Sequence, residues 1–396
     1  MGVTARAGID DVPVNDEGFR LGFRPALDGL RCFAVLMVML FHSRLKGTHG
    51  GFFGVDVFFV ISGFLITSLL LEERAATGRV SLKRFYMRRA LRLVPAMVVV
   101  VLVVGICTMI VNDDRIFELG QMAATVTYSM NWLLAWNVVE PGHLSHSWSL
   151  AIEEQFYIVW PITLLLLLRF VRRPGRILAL LGAGIIGSTL LQAVLWRPGD
   201  TGFYRAYFGL DTRAAPLLVG CAVAVIAAAG HLPSSRWSRR FVHLGAWAGV
   251  LMLIVLMQGR SNRVEAHYRN GIFLLVALAV GVLITDLLRS ERTLFSRVLE
   301  HRAAVWVGRR SYGLYLWHIP IFALLLGEKL HVKPQLVVLA SALSFAAAAV
   351  SYRFVEQPFL RLKHRYSAIP TDAPAASDTL ATPAVTVDLR AAPATA

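Results

Sequence analysis

The sequence LDGLRCFAVLMVMLFHSRL at residues 27–45 decides the fold class, because it is long and apolar enough to cross a bilayer and yet contains Arg31 and His42. At 100° per residue, the rotation of the helix from Arg31 to His42 ends about 20° past three full turns. Both side chains therefore share one helix face, roughly 16 Å apart along the axis. Ionisable groups inside membrane helices are costly and usually face a polar interior. The stretch predicts a polar track between the membrane faces; the alternative is that each side chain reaches the headgroups on its own side.

The composition of the whole chain supports the same class. Of 396 residues, 56% are hydrophobic and 16% charged, and the mean hydropathy is +0.59, which excludes an ordinary soluble domain. The net charge of +15 resides in short loops between apolar runs, as expected for topogenic signals, so no nucleic-acid partner is predicted. Cys32, Cys107 and Cys221 fall within apolar segments without metal-ligand spacing, and we interpret them as small buried residues with no disulfide or metal site.

The apolar segments predict an all-α polytopic protein in the cell inner (cytoplasmic) membrane. Eleven candidates lie near residues 27–45, 52–71, 94–112, 119–139, 149–170, 177–195, 208–229, 241–257, 271–288, 304–327 and 335–355. The segment 119–139 contains Asn131 and Asn137 and ends in Glu140-Pro141-Gly142, which suits a re-entrant segment. If it does not cross, the main basic loops all fall on one side of the membrane. We therefore predict about ten transmembrane helices, one external re-entrant segment and both termini in the cytoplasm.

Three regions follow from this topology. Residues 1–26 lack the apolar core of a cleavable signal peptide and form a cytoplasmic N-terminal segment. Residues 27–366 form the transmembrane domain. Residues 367–396 are rich in Ala, Pro and Thr and are expected to be a disordered cytoplasmic tail.

Ionisable residues of five helices are predicted to lie at one depth near the external face. Routine charges at helix ends could explain any one of them, but together they favour a polar external cavity that binds substrate. A histidine beside carboxylates in such a cavity is a candidate general base. The residues concerned are His42, Asp56, Glu153, Glu154, Asp211, Arg213 and His318.

A different chemistry is predicted on the cytoplasmic side. The stretch RVSLKRFYMRRALR at residues 79–92 repeats arginines at four-residue spacing and adds Arg89 beside Arg92. Clustered guanidinium groups suit a polyphosphate, which needs several paired hydrogen-bond donors in a fixed array. The alternative is a basic helix that binds anionic lipid headgroups.

Seven motifs in order resemble the acyltransferase-3 family of integral membrane O-acyltransferases over about residues 23–362. They are RPALDGLRCFAVLMVMLFH at 24–42, GGFFGVDVFFVISGFLIT at 50–67, FYMRRALRLVP at 85–95, SHSWSLAIEEQFYIVWP at 145–161, DTRAAPLLVGC at 211–221, RRSYGLYLWHIP at 309–320 and FVEQP at 354–358. The resemblance implies transfer of an acyl group, usually acetyl, from acyl-CoA to a hydroxyl of a carbohydrate or related acceptor. Acyl-CoA is then a donor substrate, and no cofactor is bound permanently.

The resemblance also implies roles for individual residues. His42 is the expected catalytic base, Arg31 belongs to the family's arginine and histidine pattern, and Arg89 with Arg92 is expected to bind the donor. The acidic residue of the family's SLAIEEQFY-like motif is Glu153, which would orient or charge-stabilise the base. Three neighbours are expected in the acceptor cavity, namely Trp148, Ser149 and Glu154. One departure is Ala214-Ala215-Pro216, where many relatives have an acidic residue.

Several alternatives stay open at this stage. No Ser or Cys lies in an obvious nucleophile motif, so direct transfer is simpler than an acyl-enzyme. Some relatives have a fused hydrolase-like domain, which is not expected after Tyr366. An envelope glycan is the favoured acceptor, with a small secreted molecule such as a macrolide as the second. The acyl group could be succinyl, and a glycan transporter or flippase is the rival of another class, although no internal repeat supports it.

Overall fold

The computed structural model describes residues 19–111, 114–196, 200–259, 271–289, 293–327 and 333–366. Over these ranges the chain is helical, with turns and no β-strand. The tail predicted at 367–396 and most of the predicted N-terminal segment lie outside the described residues. The domain boundaries stay predictions.

Ten apolar helices correspond to the ten predicted spans. Eight are long and apolar enough to cross a membrane, and two shorter apolar helices, Ile272–Leu287 and Ser311–Leu326, match the remaining two. The all-α polytopic fold class is confirmed, while the side that faces the cytoplasm stays a prediction. The ten are α1 (Pro25–His42), α2 (Gly54–Thr77), α3 (Leu82–Val111), α6 (Trp148–Phe170), α7 (Pro174–Leu195), α9 (Leu210–Ala228), α10 (Arg236–Met257), α11 (Ile272–Leu287), α14 (Ser311–Leu326) and α15 (Pro334–Ser351).

Shorter helices join these spans. The predicted segment 304–327 is divided at Arg310 into two helices, and α15 continues through a π-helical turn at Tyr352–Glu356. The short helices are α4 (Arg115–Val126), α5 (Met130–Ala135), α8 (Asp200–Phe208), α12 (Leu294–Leu299), α13 (Arg302–Arg309) and α16 (Gln357–Lys363).

The segment 119–139, predicted to be re-entrant, forms α4 and α5. These helices have 12 and 6 residues, and each is too short to span a bilayer. They meet at a turn in which Tyr128 has a positive φ of 53°. Gln155 of α6 holds this turn: its Nε2 donates to the Tyr128 carbonyl at 2.7 Å and to Asn131 Oδ1 at 2.9 Å. Its Oε1 accepts from Trp132 Nε1 at 3.0 Å. Three hydrogen bonds from one amide side chain therefore hold the turn to a membrane helix.

Close helix packing sets the position of the pockets. A Cβ on Gly63 of α2 would collide with the Leu217 carbonyl of α9, and a Cβ on Gly220 of α9 would collide with the Val60 carbonyl of α2. Such small residues let membrane helices approach backbone to backbone. Of the three cysteines, Cys32 and Cys221 are buried as predicted, but Cys107 is exposed on the apolar surface of α3.

Candidate active site

Two histidines from distant parts of the chain meet at one end of α1. The Nδ1 atom of His42 lies 2.9 Å from the Val38 carbonyl oxygen and 3.2 Å from Nε2 of His318. The Nδ1 atom of His318 lies 2.7 Å from the Tyr315 carbonyl and 3.1 Å from that of Leu314. His318 is fully buried, whereas His42 is partly exposed.

The proton positions of both rings are assigned from these contacts. A carbonyl oxygen only accepts, so Nδ1 of each histidine carries the hydrogen. The Nε2 atom of His318 then has a lone pair that accepts from His42 Nδ1, and the Nε2 atom of His42 keeps its own lone pair. The arrangement can hold a neutral histidine in the tautomer that a general base needs.

His42 lines a cavity with largely aromatic walls, which we call the histidine pocket. His146 lies in the same wall, with its ring centroid 5.8 Å from that of His318. Trp148 packs on Tyr207 and Phe208 with ring centroids 5.0 and 5.1 Å apart. The pocket is lined by Val38, Phe41, His42, Phe52, Val55, Leu134, Pro141, Gly142, Ser145, His146, Trp148, Phe203, Tyr207, Phe208, Tyr315 and Ile319.

A second cavity, the arginine pocket, is lined by five charged side chains of the membrane domain. The Arg89 guanidinium lies 3.7 Å from the centroid of the Tyr157 ring, and the Tyr157 hydroxyl donates to Glu153 Oε2 at 3.3 Å. Three guanidinium groups face two carboxyl groups, an excess of positive charge that suits an anionic ligand. The lining is Arg31, Val55, Phe58, Ile61, Ser62, Leu65, Arg89, Arg92, Leu93, Tyr128, Ser149, Leu150, Glu153, Glu154, Tyr157, Ser311, Tyr312 and Tyr315.

The arginine row of α3 divides between two tasks. Arg89 and Arg92 line the arginine pocket, as does Arg31 of α1. Arg88 faces elsewhere: it pairs with Glu73 at 2.8 Å and donates to the Tyr366 carbonyl at 2.8 Å. The sequence spacing grouped Arg88 with the others, but its position on the helix gives it a structural contact instead.

The structure places Glu153 in the arginine pocket rather than among the hydrogen-bond partners of His42. The described partners of the His42 ring are Val38 and His318, whereas Glu153, Glu154 and Ser149 line the arginine pocket. Trp148, at the start of α6, does line the histidine pocket. Glu153 follows Trp148 by five residues, which places it about 140° further around α6 and about 7.5 Å further along the helix axis. The same helix therefore lines both pockets.

Asp56 and Arg213 line neither pocket, and the substrate-binding role predicted for them stays a prediction. They form an ion pair at 2.9 Å with no exposed side-chain surface. The Arg213 guanidinium also lies 3.9 Å from the centroid of Phe273 and 5.0 Å from that of Tyr207. Each charge neutralises the other, so the pair ties α2 to α9 and adjoins the histidine pocket through Tyr207.

Asp211 is also placed outside both pockets. Its carboxylate accepts two hydrogen bonds from Arg205, at 2.9 and 2.6 Å, and its side chain is 40% exposed. Arg205 in turn lies 5.4 Å from the ring centroid of Trp132 and 5.2 Å from that of Trp136. Asp211 therefore forms a surface contact between α8 and α9, and its role in substrate binding stays a prediction.

Sequence reasoning missed several residues that shape the pockets. Tyr315 lies one helical turn before His318, and His146 lies within the quoted SHSWSL motif, so both were near recognised positions. Tyr128 and Tyr207 have no such local signal. Within the described residues, no group of three or more His, Cys, Asp or Glu side chains has an arrangement suited to a metal ion.

Comparison with known families identifies the class. A family model described as "Acyltransferase domain" matches residues 24–353, which contain the residues of both pockets. The chain therefore belongs to this acyltransferase family, and the resemblance stated from the motifs is confirmed. It is a multi-pass membrane protein of that family.

The similar curated proteins are larger than this chain. Peptidoglycan O-acetyltransferase OatA of Listeria monocytogenes is 35% identical over 347 residues, which are 84% of this chain and 55% of that protein. The putative peptidoglycan O-acetyltransferase YrhL of Bacillus subtilis is 32% identical over 347 residues, 84% of this chain and 54% of that protein. The chain spans about half the length of these relatives. No solved structure matches it.

Proposed function

We propose that this protein transfers an acetyl group from cytoplasmic acetyl-CoA to a hydroxyl group of an envelope glycan, with His42 as the general base. The observation that carries the proposal is the position of Arg31 and His42 on one face of α1, in two adjoining pockets of opposite chemistry. One pocket offers cationic side chains for a phosphorylated donor. The other offers a basic nitrogen between aromatic walls.

The donor is assigned to the arginine pocket. Arg89 and Arg92 contact the phosphates of acetyl-CoA, because guanidinium groups bind phosphate oxygens through paired hydrogen bonds. The pantetheine arm extends past Arg31 toward His42, over the roughly 16 Å that eleven residues of helix provide. Glu153 and Glu154 orient the arginines rather than the base.

The chemistry follows from the tautomer of His42. Its Nε2 atom takes the proton of the acceptor hydroxyl, and the hydroxyl oxygen attacks the thioester carbonyl carbon. The carbon–sulfur bond breaks, the new ester forms, and the protonated ring returns its proton to the sulfur of CoA. His318 is a positioning residue, since it accepts a hydrogen bond from His42 Nδ1 and so stabilises the ring while it is positively charged. Transfer is direct, without an acyl-enzyme.

The acceptor is assigned to the histidine pocket. Trp148, Tyr207 and Phe208 present ring faces that pack against the apolar faces of a sugar ring. The names of the relatives in Listeria and Bacillus support a peptidoglycan-type glycan. The histidine pocket is assigned to the external side because the basic loops are expected on the cytoplasmic side.

The test is the amount of alkali-labile acetyl ester on envelope glycans and on small secreted glycosides. Cells lacking the gene are complemented with wild-type protein, with His42→Ala, or with His231→Ala, an exposed histidine outside both pockets. At equal membrane abundance, we expect wild type and His231→Ala to restore the glycan ester and His42→Ala not to. Ester restored only on small glycosides would change the acceptor. Equal restoration by all three would contradict a catalytic His42 and favour a transporter.

A further inference from the structure

Two residues separate the arginine pocket from the histidine pocket. Val55 of α2 and Tyr315 of α14 each line both cavities. Both side chains are about nine-tenths buried, at 6% exposure each. The boundary between the pockets is therefore thin, being only the thickness of side chains from two facing helices.

The Tyr315 side chain is held across this boundary by two hydrogen bonds. Its hydroxyl donates to the His146 carbonyl oxygen at 2.9 Å and accepts from Ser149 Oγ at 2.6 Å. Ser149 lines the arginine pocket, and His146 lines the histidine pocket. The Tyr315 ring also packs edge-on against Phe58, with the centroids 6.4 Å apart.

Building on the function proposed above, we propose that Tyr315 and Val55 form a movable barrier that keeps the donor and acceptor pockets apart until the thioester passes. The thioester must reach His42 from Arg31, and the direct route lies between these two side chains. Rotation of the Tyr315 side chain breaks its bonds to Ser149 and His146 and opens that route. A closed barrier keeps external water from the thioester when no acceptor is present.

The backbone of the same residue holds the base in place. The Tyr315 carbonyl accepts from His318 Nδ1 at 2.7 Å, and His318 holds His42. Because a side-chain rotation leaves this carbonyl where it is, the barrier can open without breaking the hydrogen bonds that hold the two histidines, although the ring contact between Tyr315 and His318, 5.5 Å between centroids, changes. This separation of tasks within one residue is why Tyr315, rather than Ser149 or Phe58, is assigned as the movable part.

The barrier can be tested without any acyl transfer. In a variant lacking the three native cysteines, a single cysteine is placed in the arginine pocket by Ser62→Cys, or in the histidine pocket by Ile319→Cys. A membrane-impermeant methanethiosulfonate reagent is added to the external side of right-side-out vesicles. We expect Ile319→Cys to react whether or not Tyr315 is substituted. We expect Ser62→Cys to react at least tenfold faster with Tyr315→Ala than with Tyr315 intact.

Tyr315→Phe provides the matched control, since it keeps the ring and removes both hydrogen bonds of the hydroxyl. We expect an intermediate labelling rate, and unchanged Ile319→Cys labelling reports that each variant is folded. Equal labelling of Ser62→Cys with Tyr315 and with Tyr315→Ala would overturn the barrier, as would unreactive Ile319→Cys. Acetyl-CoA hydrolysis without acceptor, measured in the same vesicles, should rise several-fold for Tyr315→Ala. If wild type transfers no acetyl group, the proposed function fails, while the labelling result still decides the barrier.

Discussion

The contact between His42 and His318 gives the sharpest prediction for catalysis. His318→Ala removes the acceptor that lies 3.2 Å from His42 Nδ1 and leaves the Val38 carbonyl as the remaining described partner. A hydrogen bond to a group that becomes charged contributes about 1.5–3 kcal/mol. At about 1.4 kcal/mol per factor of ten in rate, we expect kcat to fall roughly 10- to 100-fold.

Removing the base itself should cost more. General-base catalysis typically contributes about 10²- to 10⁴-fold, so His42→Ala should be slower than His318→Ala. His318→Gln offers an amide oxygen that can accept from His42, and it should recover part of the lost rate. The KM for acetyl-CoA should change little in any of the three, because the arginine pocket is left intact.

The assay is acetyl transfer by purified protein in proteoliposomes, with kcat and KM measured separately at equal protein content. His318 is fully buried, so each variant is first checked for monodisperse elution. A kcat for His318→Ala within twofold of wild type would refute the positioning role. A change confined to KM would also refute it, because His318 is proposed to position the catalytic base and not to bind the donor.

Three further predictions test the donor pocket, the buried ion pair and the turn between α4 and α5. Arg92→Ala should raise the KM for acetyl-CoA about tenfold or more, because a charged hydrogen bond is lost. Arg84→Ala, a control outside the pocket, should leave the KM unchanged. Equal KM values for the two variants would exclude Arg92 from donor binding. Asp56→Ala leaves the Arg213 charge buried without a counter-charge, which should lower the free energy of unfolding by about 3–5 kcal/mol. The unfolding midpoint of the variant in a detergent thermal melt should therefore fall sharply. An unchanged midpoint would argue against a stabilising ion pair. Gln155→Leu removes three hydrogen bonds, and protease added outside should then cleave the turn at Tyr128 faster than in wild type.

Properties that depend on neighbouring residues in the chain could be predicted from the sequence. The apolar runs identified ten apolar helices among the described residues, eight of them long enough to cross a membrane, and the polar residues of 119–139 indicated that this segment differs. The positions of Arg31 and His42 on one face of α1 also followed from helix geometry alone. Motif resemblance then identified the family, because seven stretches in a fixed order are specific.

Properties that depend on helix rotation and on distant partners could not be predicted. Depth in the membrane placed Glu153 near His42, but the direction of its side chain around α6 sends it into the arginine pocket. Asp56 and Arg213 were recognised as ionisable residues at similar depth, yet nothing local showed that they neutralise each other.

The sequence by itself therefore determined the membrane class, the helices, the family and the position of Arg31 and His42 on one face of α1, since hydropathy, periodicity and motifs are local properties. Tertiary structure alone decided which side chains share a pocket. His318 meets His42 across 276 positions of the chain, and Tyr315 meets Ser149 across 166. These contacts form where packed helices bring distant faces together, and a single sequence does not contain the crossing geometry.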